Sequence, residues 1–176
     1  MTRNSAPGQD NYGHSGLDSG TNRLGGRSVL ITGCSTGIGR HVAEGLKQRG
    51  YRVFATARRQ EDVKGLCALG LEALQLDLAS SASINHAFAA VMEKTGNTLY
   101  ALFNNGAYGL PGAVEDLGRD ALREQFEVNL FGTHELTTLA IPGMRRQGYG
   151  RIIQNSSLLG YVALKYLFIV PVGLGM

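Results

Sequence analysis

A glycine-rich segment between two regular elements constrains the fold of this chain more than any other feature. It reads Thr-Gly-Cys-Ser-Thr-Gly-Ile-Gly and covers residues 32–39. A β-branched run at 28–32 comes before it, and a helical pattern with Ile38, Val42 and Leu46 at four-residue spacing follows it. We expect these three side chains to face a sheet. A strand, a glycine turn and an amphipathic helix in this order predict the first unit of a parallel α/β fold.

The rest of the chain repeats this unit. Four more strands are predicted, at 52–57, 71–76, 99–103 and 151–154. The helix before the fourth strand should turn Ile84, Phe88 and Val91 inward, and the longest helix should run from about residue 120 to 146. We therefore predict an α/β fold with a Rossmann-type, doubly wound parallel sheet in three α/β/α layers, incomplete at its C-terminal end.

The composition divides the chain into three segments. Residues 1–26 are rich in Gly, Ser, Asn and Asp, have no apolar stretch and read as a disordered leader, whereas 27–166 carry the α/β pattern. The apolar tail at 167–176 is about half as long as a membrane-spanning helix and contains Pro171. The net charge of +3 comes from scattered Lys and Arg. These features argue against a nucleic-acid or membrane partner.

The metal-binding and disulfide-forming residue types show no site pattern. Cys34 and Cys67 fall in segments that we expect to be core elements, and their spacing fits neither a zinc site nor a disulfide framework. A reducing, cytoplasmic setting fits this cysteine usage. No metal-ligand spacing occurs among the histidines, which are His14, His41, His86 and His134.

The glycine segment predicts a phosphate site. Glycine lets the backbone turn tightly and approach a pyrophosphate, and the N–H groups at the start of the next helix favour negative charge. The alternative is a glycine-rich turn without a ligand, which is the better reading of a lone glycine pattern. Residues expected to contact the nucleotide are Gly33, Ser35, Thr36, Gly37, Ile38 and Gly39.

Four motifs together resemble one enzyme family. Thr-Gly-x-x-x-Gly-Ile-Gly is similar to the cofactor fingerprint of the short-chain dehydrogenases/reductases. Asn-Asn-Gly-Ala at 104–107 is similar to the family's Asn-Asn-Ala-Gly with its last two residues exchanged, Val-Asn-Leu-Phe-Gly contains Asn129, and Ser-Ser-Leu-Leu-Gly contains Ser157. Because all four occur in order on the expected element types over about 27–166, the chain is identified as a member of this family.

The resemblance implies an oxidoreductase that reduces a carbonyl compound or oxidises an alcohol, with a small-molecule substrate and a homo-oligomeric parent. It assigns Asn129 to a proton relay, Ser157 to a hydrogen bond with the substrate oxygen, Asp77 to the adenine, and Asn105 and Gly106 to the cofactor. The alternatives are a helix-bending or capped polar residue for Asn129 and a turn residue for Ser157. Segments 53–58 and 102–106 are similar to the hydroxysteroid and retinol dehydrogenases.

The end of the second predicted strand indicates the cofactor. An acid there would accept hydrogen bonds from the ribose hydroxyls of NAD, but Ala57 stands in its place. Arg58 and Arg59 follow, and a planar guanidinium can bind a ribose phosphate through two hydrogen bonds. This favours NADP(H), chiefly through Arg58. The alternative is a solvated surface turn.

The family pattern breaks after residue 166. Counting thirteen positions from Ser157, where the family has its catalytic tyrosine, reaches Val170. Tyr161 and Lys165 satisfy Tyr-x-x-x-Lys, but Tyr161 lies four residues beyond Ser157, and we attribute the match to chance. The chain is therefore predicted to be catalytically incomplete. Alternatives are a non-catalytic dinucleotide-binding or interaction protein and, last, a methyl-donor-binding Rossmann protein.

Overall fold

A parallel sheet of five strands forms the centre of residues 26–157, the part of the chain that the computed structural model describes. The strands are β1 (Ser28–Ile31), β2 (Arg52–Ala57), β3 (Glu72–Gln75), β4 (Ala101–Asn104) and β5 (Arg151–Gln154). Their order is β3-β2-β1-β4-β5, with every neighbouring pair parallel. This is the order of a doubly wound sheet, which reverses direction between β1 and β4. The predicted bounds of β2 and β5 are confirmed, and the other three differ by one or two residues.

Helices connect the strands. They are α1 (Gly37–Gln48), α2 (Gln60–Ala68), α3 (Ser81–Lys94), α4 (Arg119–Phe126) and α5 (Thr133–Gln147). A 3₁₀ turn at Val114–Asp116 precedes α4. The single long helix predicted from 120 to 146 is present as α4 and α5, joined by one wider π-helical turn at Glu127–Gly132. The hydrogen bond from Thr133 Oγ1 to the carbonyl oxygen of Val128, five residues earlier, lies at this turn.

Two hydrophobic clusters place the helices on opposite faces of the sheet. Alternate residues of a strand point to opposite faces. Leu30 and Phe54 belong to a cluster with Ile84 of α3 and Leu136 of α5. The neighbouring strand residues, such as Ile31, belong to a second cluster with buried residues of α1 and α2. The predicted three-layer α/β/α arrangement is therefore confirmed, and so are the inward positions of Ile84, Phe88 and Val91.

Two expectations about the core are wrong. Val42 and Leu46 pack against the core, but Ile38 is 59% exposed. Ile38 lies in the first turn of α1, and β1 already ends at Ile31, so no strand lies beneath this side chain. Cys34 is buried, whereas Cys67 is exposed on α2. Successive helical residues are about 100° apart, so burial of Leu66 turns Cys67 toward solvent.

The last strand is open to solvent. All four residues of β5 are exposed, including Ile152 at 37% and Ile153 at 46%. Within residues 26–157, β5 pairs with β4 and has no partner on its other edge. The predicted incompleteness of the sheet at its C-terminal end agrees with this arrangement. The predicted leader before residue 26, the residues from 158 to 166 and the apolar tail at 167–176 lie outside the described residues.

None of the helices between residues 26 and 157 has the length and apolar character needed to cross a membrane.

Candidate functional site

A cleft of about 870 Å³ opens at the carboxyl ends of the strands. It lies where the sheet reverses direction, between the loops that follow β1 and β4, which is where doubly wound folds bind ligands. Seven of the residues predicted to contact a nucleotide line this cleft: Gly33, Ser35, Thr36, Arg58, Asp77, Asn105 and Gly106. Gly37, Ile38 and Gly39 form the start of α1 beside it. The structure therefore brings together residues that are far apart in the sequence, such as Gly33 and Gly106.

The glycine loop, residues 32–39, needs its glycines for two reasons. Gly33 has φ +68° and Gly37 has φ +61°, in the left-handed region that other residues adopt at a cost. A Cβ on Gly33 would lie 2.7 Å from Cα of Gly106, and a Cβ on Gly39 would lie 2.5 Å from Nδ2 of Asn105. The loops after β1 and β4 are therefore in direct backbone contact, which fixes the floor of the cleft.

The N-terminus of α1 suits an anion. Its N-cap residue, Thr36, makes no side-chain cap hydrogen bond, and the first turn contains no acidic residue. In α3, by contrast, the Ser80 side chain accepts from the Ser83 amide and occupies the helix end. Uncapped N–H groups and the positive end of the helix dipole favour a phosphate. The residues present therefore fit the pyrophosphate of a dinucleotide.

A network of hydrogen bonds centred on Asn105 links the loops around the cleft. The Thr32 hydroxyl accepts from the backbone amides of Asn105 at 2.9 Å and Gly106 at 2.8 Å. Nδ2 of Asn105 donates to the carbonyl oxygens of Thr32 and Gly33 at 3.1 and 3.0 Å. Oδ1 of Asn105 accepts from Nδ2 of Asn155 at 2.9 Å. Sequence reasoning included Thr32 in the glycine segment but gave it no role, and it missed Asn155; their positions at strand ends are the signal that could have found them.

Asn129 is buried in the wide turn between α4 and α5 and holds a main-chain segment. Its Oδ1 accepts from the backbone amide of Tyr108 at 3.1 Å, and its Nδ2 donates to the Tyr108 carbonyl oxygen at 2.8 Å. The same carbonyl oxygen accepts from Nε2 of Gln125 at 2.7 Å. Tyr108 lines the cleft. The structure thus places Asn129 behind the cleft wall, and its assignment to a proton relay stays a prediction.

The two arginines after β2 have different surroundings. Arg58 lines the cleft and is exposed, and its guanidinium makes no hydrogen bond or ion pair within residues 26–157. Arg59 pairs with Asp62 at 3.0 Å and Glu61 at 3.4 Å. These carboxylates, above all the hydrogen-bonded Asp62, raise the pKa of Arg59. Of these two arginines, Arg58 is therefore the one that can turn to a ligand in the cleft.

Asp77 lines the cleft on the same side as Arg58, because it follows β3, the strand beside β2. Its Oδ1 accepts from the backbone amide of Ala79 at 3.0 Å, and its own amide donates to the Ser83 hydroxyl at 3.0 Å. These bonds hold the carboxylate in a fixed turn before α3. The predicted contact with an adenine agrees with this position but remains a prediction.

The predicted substrate residue lies at the limit of the described chain. Ser157 is half-buried and follows β5 by three residues, at the same sheet edge as the other cleft loops. The backbone amide of Asn155 donates to the carbonyl oxygen of Asn104 at 2.9 Å and extends the pairing of β5 with β4. Tyr161, Lys165 and Val170 lie outside the described residues. Between residues 26 and 157, His41, His86 and His134 are exposed, and no group of His, Cys, Asp and Glu is arranged to hold a metal ion.

The fold and the cleft define a Rossmann-type α/β protein, with its crevice at the position where such folds bind dinucleotides. A family model described as short chain dehydrogenase matches residues 27–168. The chain belongs to the short-chain dehydrogenase family of oxidoreductases.

Individual relatives support this assignment. The uncharacterized oxidoreductase YbbO of Escherichia coli K12 is 38% identical over 143 residues, which cover 81% of this chain and 53% of that protein. Human 17-beta-hydroxysteroid dehydrogenase type 1 is 37% identical over 151 residues, covering 78% of this chain and 45% of its own length. The actinorhodin polyketide ketoreductase crystallised with NADPH has a TM-score of 0.77 at 30% identity, over 84% of this chain and 59% of that one. The chain spans about half the length of the curated relatives it matches.

Proposed function

We propose that this chain forms the nucleotide-binding part of an oxidoreductase that uses NADP(H) to reduce a carbonyl group or oxidise an alcohol. The observation that carries the proposal is the Arg58 guanidinium, which lies at the cleft without an ion-pair partner among residues 26–157. Ala57, in the preceding position, is buried at the end of β2, where an acid would favour NAD. A cation without an adjacent strand-end acid favours a phosphate on the ribose.

The glycine loop and the start of α1 would hold the pyrophosphate. Gly33, Ser35, Thr36, Gly37, Ile38 and Gly39 provide the backbone for this contact. Asp77 would contact the adenine, and Asn105 and Gly106 would support the opposite half of the cofactor. The NADPH in the crystal structure of the actinorhodin ketoreductase supports the same cofactor here. When bound, NADPH would supply a hydride for the carbonyl carbon.

The substrate end of the site rests on Ser157 and Asn129. Ser157 would donate a hydrogen bond to the substrate oxygen, and Asn129 would support the proton path from behind the wall of the cleft. Reduction of a carbonyl also needs an acid that gives a proton to the oxygen. Because Val170 stands where the family has its tyrosine, we expect this chain to turn over slowly or not at all. A small-molecule substrate, a cytoplasmic location and a homo-oligomeric parent belong to the same proposal.

A binding titration tests the cofactor. The full chain is titrated with NADPH and with NADH, and binding is followed by nicotinamide fluorescence. We expect tighter binding of NADPH. Arg58→Ala should weaken NADPH binding by about tenfold and leave NADH binding nearly unchanged, because it removes one charge-assisted contact with the ribose phosphate.

Arg59→Ala is the matched control. It removes the same charge one residue away, but Arg59 already pairs with Asp62, so NADPH affinity should change little. Equal affinity of the wild-type chain for NADH and NADPH would contradict the cofactor assignment. Consumption of NADPH with a panel of aldehydes and ketones separates an active enzyme from a non-catalytic binder, since only the first oxidises the cofactor.

A further inference from the structure

The main chain of Tyr108 is held by two buried amide side chains. The Asn129 side chain accepts a hydrogen bond from the N–H of Tyr108 and donates one to the carbonyl oxygen of Tyr108. Gln125 donates a second hydrogen bond, of 2.7 Å, to that carbonyl oxygen. Gln125 and Asn129 are four residues apart and lie on either side of the junction between α4 and the wide turn. Both amides therefore face the same peptide. The family resemblance assigns a role to Asn129 but none to Gln125.

Gln125 is poorly explained as a packing residue. Its side chain is 0% exposed, and its Oε1 has no hydrogen-bond partner within residues 26–157. A buried acceptor without a partner loses its hydration and is destabilising. An apolar side chain of similar length would fill the same space without that penalty. The feature that distinguishes Gln125 from such a side chain is the donor that reaches Tyr108.

The anchored residue belongs to the wall of the cleft. Residues 105–111 follow β4 without regular helix or strand. The Thr32 hydroxyl anchors the start of this wall at Asn105 and Gly106, and the two amides anchor it again at Tyr108. The Tyr108 ring is partly exposed and contributes to the lining of the cleft. Its main-chain anchor therefore sets where the ring stands relative to a bound molecule.

We propose that Gln125 is a positioning residue, which fixes the Tyr108 peptide so that residues 105–108 form a rigid wall against the nicotinamide half of the cofactor and its substrate. The inference rests on the proposed function for the identity of the bound molecule. The hydrogen bonds that anchor Tyr108 are formed within the chain and need no ligand. Loss of such a residue should weaken binding of the full dinucleotide and leave the affinity for its adenosine half unchanged.

The test uses Gln125→Met, which keeps the length of the side chain and removes the donor. The affinities of the full chain for NADPH and for adenosine 2′,5′-bisphosphate are measured, together with the unfolding temperature. We expect NADPH binding to weaken by about three- to tenfold, the loss of one neutral hydrogen bond, while binding of the bisphosphate is unchanged. The unfolding temperature should stay level or rise, because the unpaired acceptor is gone. Affinity and stability would then move independently, which a purely structural role does not produce.

Gln147→Met is the matched control. Nε2 of Gln147 also donates to main-chain oxygens, those of Leu99 and Tyr149, each at 2.6 Å, but at the opposite end of β4 from the cleft. This variant should lower the unfolding temperature and leave the ratio of the two affinities unchanged.

Amide hydrogen exchange without nucleotide separates the inference from the proposed function. Exchange over 106–112 should become faster in Gln125→Met and not in Gln147→Met. If the wild-type chain fails to bind NADPH, the proposed function fails while the exchange result still tests the anchor. If Gln125→Met binds NADPH as tightly as the wild type, or its exchange over 106–112 is unchanged, the inference is overturned.

Discussion

Asn155 donates a hydrogen bond of 2.9 Å from its side-chain Nδ2 to Oδ1 of Asn105. Asn105 passes the connection on, because its own Nδ2 donates to the carbonyl oxygens of Thr32 and Gly33. The segment that leads to Ser157 is thus tied to the glycine loop through one amide group. Loops that follow β5, β4 and β1 are positioned together, so displacement of one is transmitted to the others.

Asn105→Ala should destabilise the protein and weaken nucleotide binding together. The change leaves Nδ2 of Asn155 and the oxygens of Thr32 and Gly33 without their partner in a half-buried site, which corresponds to a loss of about 2–3 kcal/mol. Urea unfolding measures the loss. Asn85→Ala, which removes two surface hydrogen bonds of α3, is the control and should cost about 1 kcal/mol or less. Equal losses in the two variants would show that the network around Asn105 carries no special weight.

Gly39→Ala should displace the glycine loop. The new Cβ would lie 2.5 Å from both Nδ2 of Asn105 and the carbonyl oxygen of Gly33, and neither atom can move without breaking the network. Overpacking of this kind typically destabilises by about 1–3 kcal/mol. Gly65→Ala provides the control, because its Cβ meets nothing within 4 Å and alanine favours a helix interior by about 0.5–1 kcal/mol. Thermal unfolding of the two variants should therefore shift in opposite directions, and a shift in the same direction would contradict the predicted crowding.

Glu72→Gln should make the free energy of unfolding decrease less steeply as the pH is lowered. Arg52 hydrogen bonds Glu72 at 2.6 and 2.9 Å and, outweighing burial, holds the pKa of this carboxyl below its usual value. Because the pKa of Glu72 is lower in the folded protein, its pair with Arg52 adds to the free energy of unfolding above the ordinary glutamate pKa of about 4.3. This contribution disappears as the pH falls through the lower pKa of the folded protein. Urea unfolding between about pH 7 and about pH 3 should show a shallower decline in the variant than in the wild type.

Glu93→Gln is the charge-matched control for that measurement. Glu93 is exposed on α3, and its carboxylate makes no ion pair within residues 26–157. This variant should follow the wild-type decline. A Glu72→Gln curve parallel to the wild type would mean that the pair with Arg52 contributes nothing in the native state.

The two thiols should differ sharply in reactivity. Burial raises the pKa of Cys34 to about 12, so its thiol stays neutral and inaccessible in the glycine loop, whereas Cys67 is exposed. A thiolate is the reactive form. Iodoacetamide at neutral pH should therefore label Cys67 in the native protein and Cys34 only after denaturation, as peptide mass spectrometry can report. Rapid labelling of Cys34 in the native chain would show that the loop opens easily.

The parts of the fold that follow a simple period could be predicted from the sequence. β2 and β5 agree with their predicted bounds, since β-branched runs between turns mark strands well. Periodicity failed at Ile38 because it identifies the apolar face of a helix without showing where the sheet beneath it ends. The expectation for Cys67 failed for another reason: it considered the segment as a whole, and Cys67 lies off the buried face of α2. The prediction of one helix at 120–146 missed the wide turn, because a local change of helical pitch does not alter the pattern of apolar residues.

Sequence motifs identified the candidate cleft, but the motifs alone did not assign its supporting contacts. The glycine loop and Asn105 were predicted, and seven of the predicted cofactor residues line one cleft. No role was predicted for Thr32, Asn155 or Gln125. The first two bond Asn105 from positions 73 and 50 residues away, and Gln125 lies in a helix whose pattern reads as solvated. Contacts of this kind depend on the tertiary path of the chain.

The wide turn at 127–132 joins α4 to α5 and determines how far α4 is rotated about its own axis relative to α5. Successive residues of a regular helix are about 100° apart, so deletion of one residue in the turn would rotate α4 by roughly that angle about its axis. Leu136 and Ala140 would keep their places under the sheet while Gln125 swung away from Tyr108. A one-residue deletion here would therefore disturb both the crevice and the turn itself, where Asn129 and Gly132 are buried and Gly132 lies close against Leu78. The number of residues in this turn, as well as their side chains, thus determines the shape of the wall that faces the crevice.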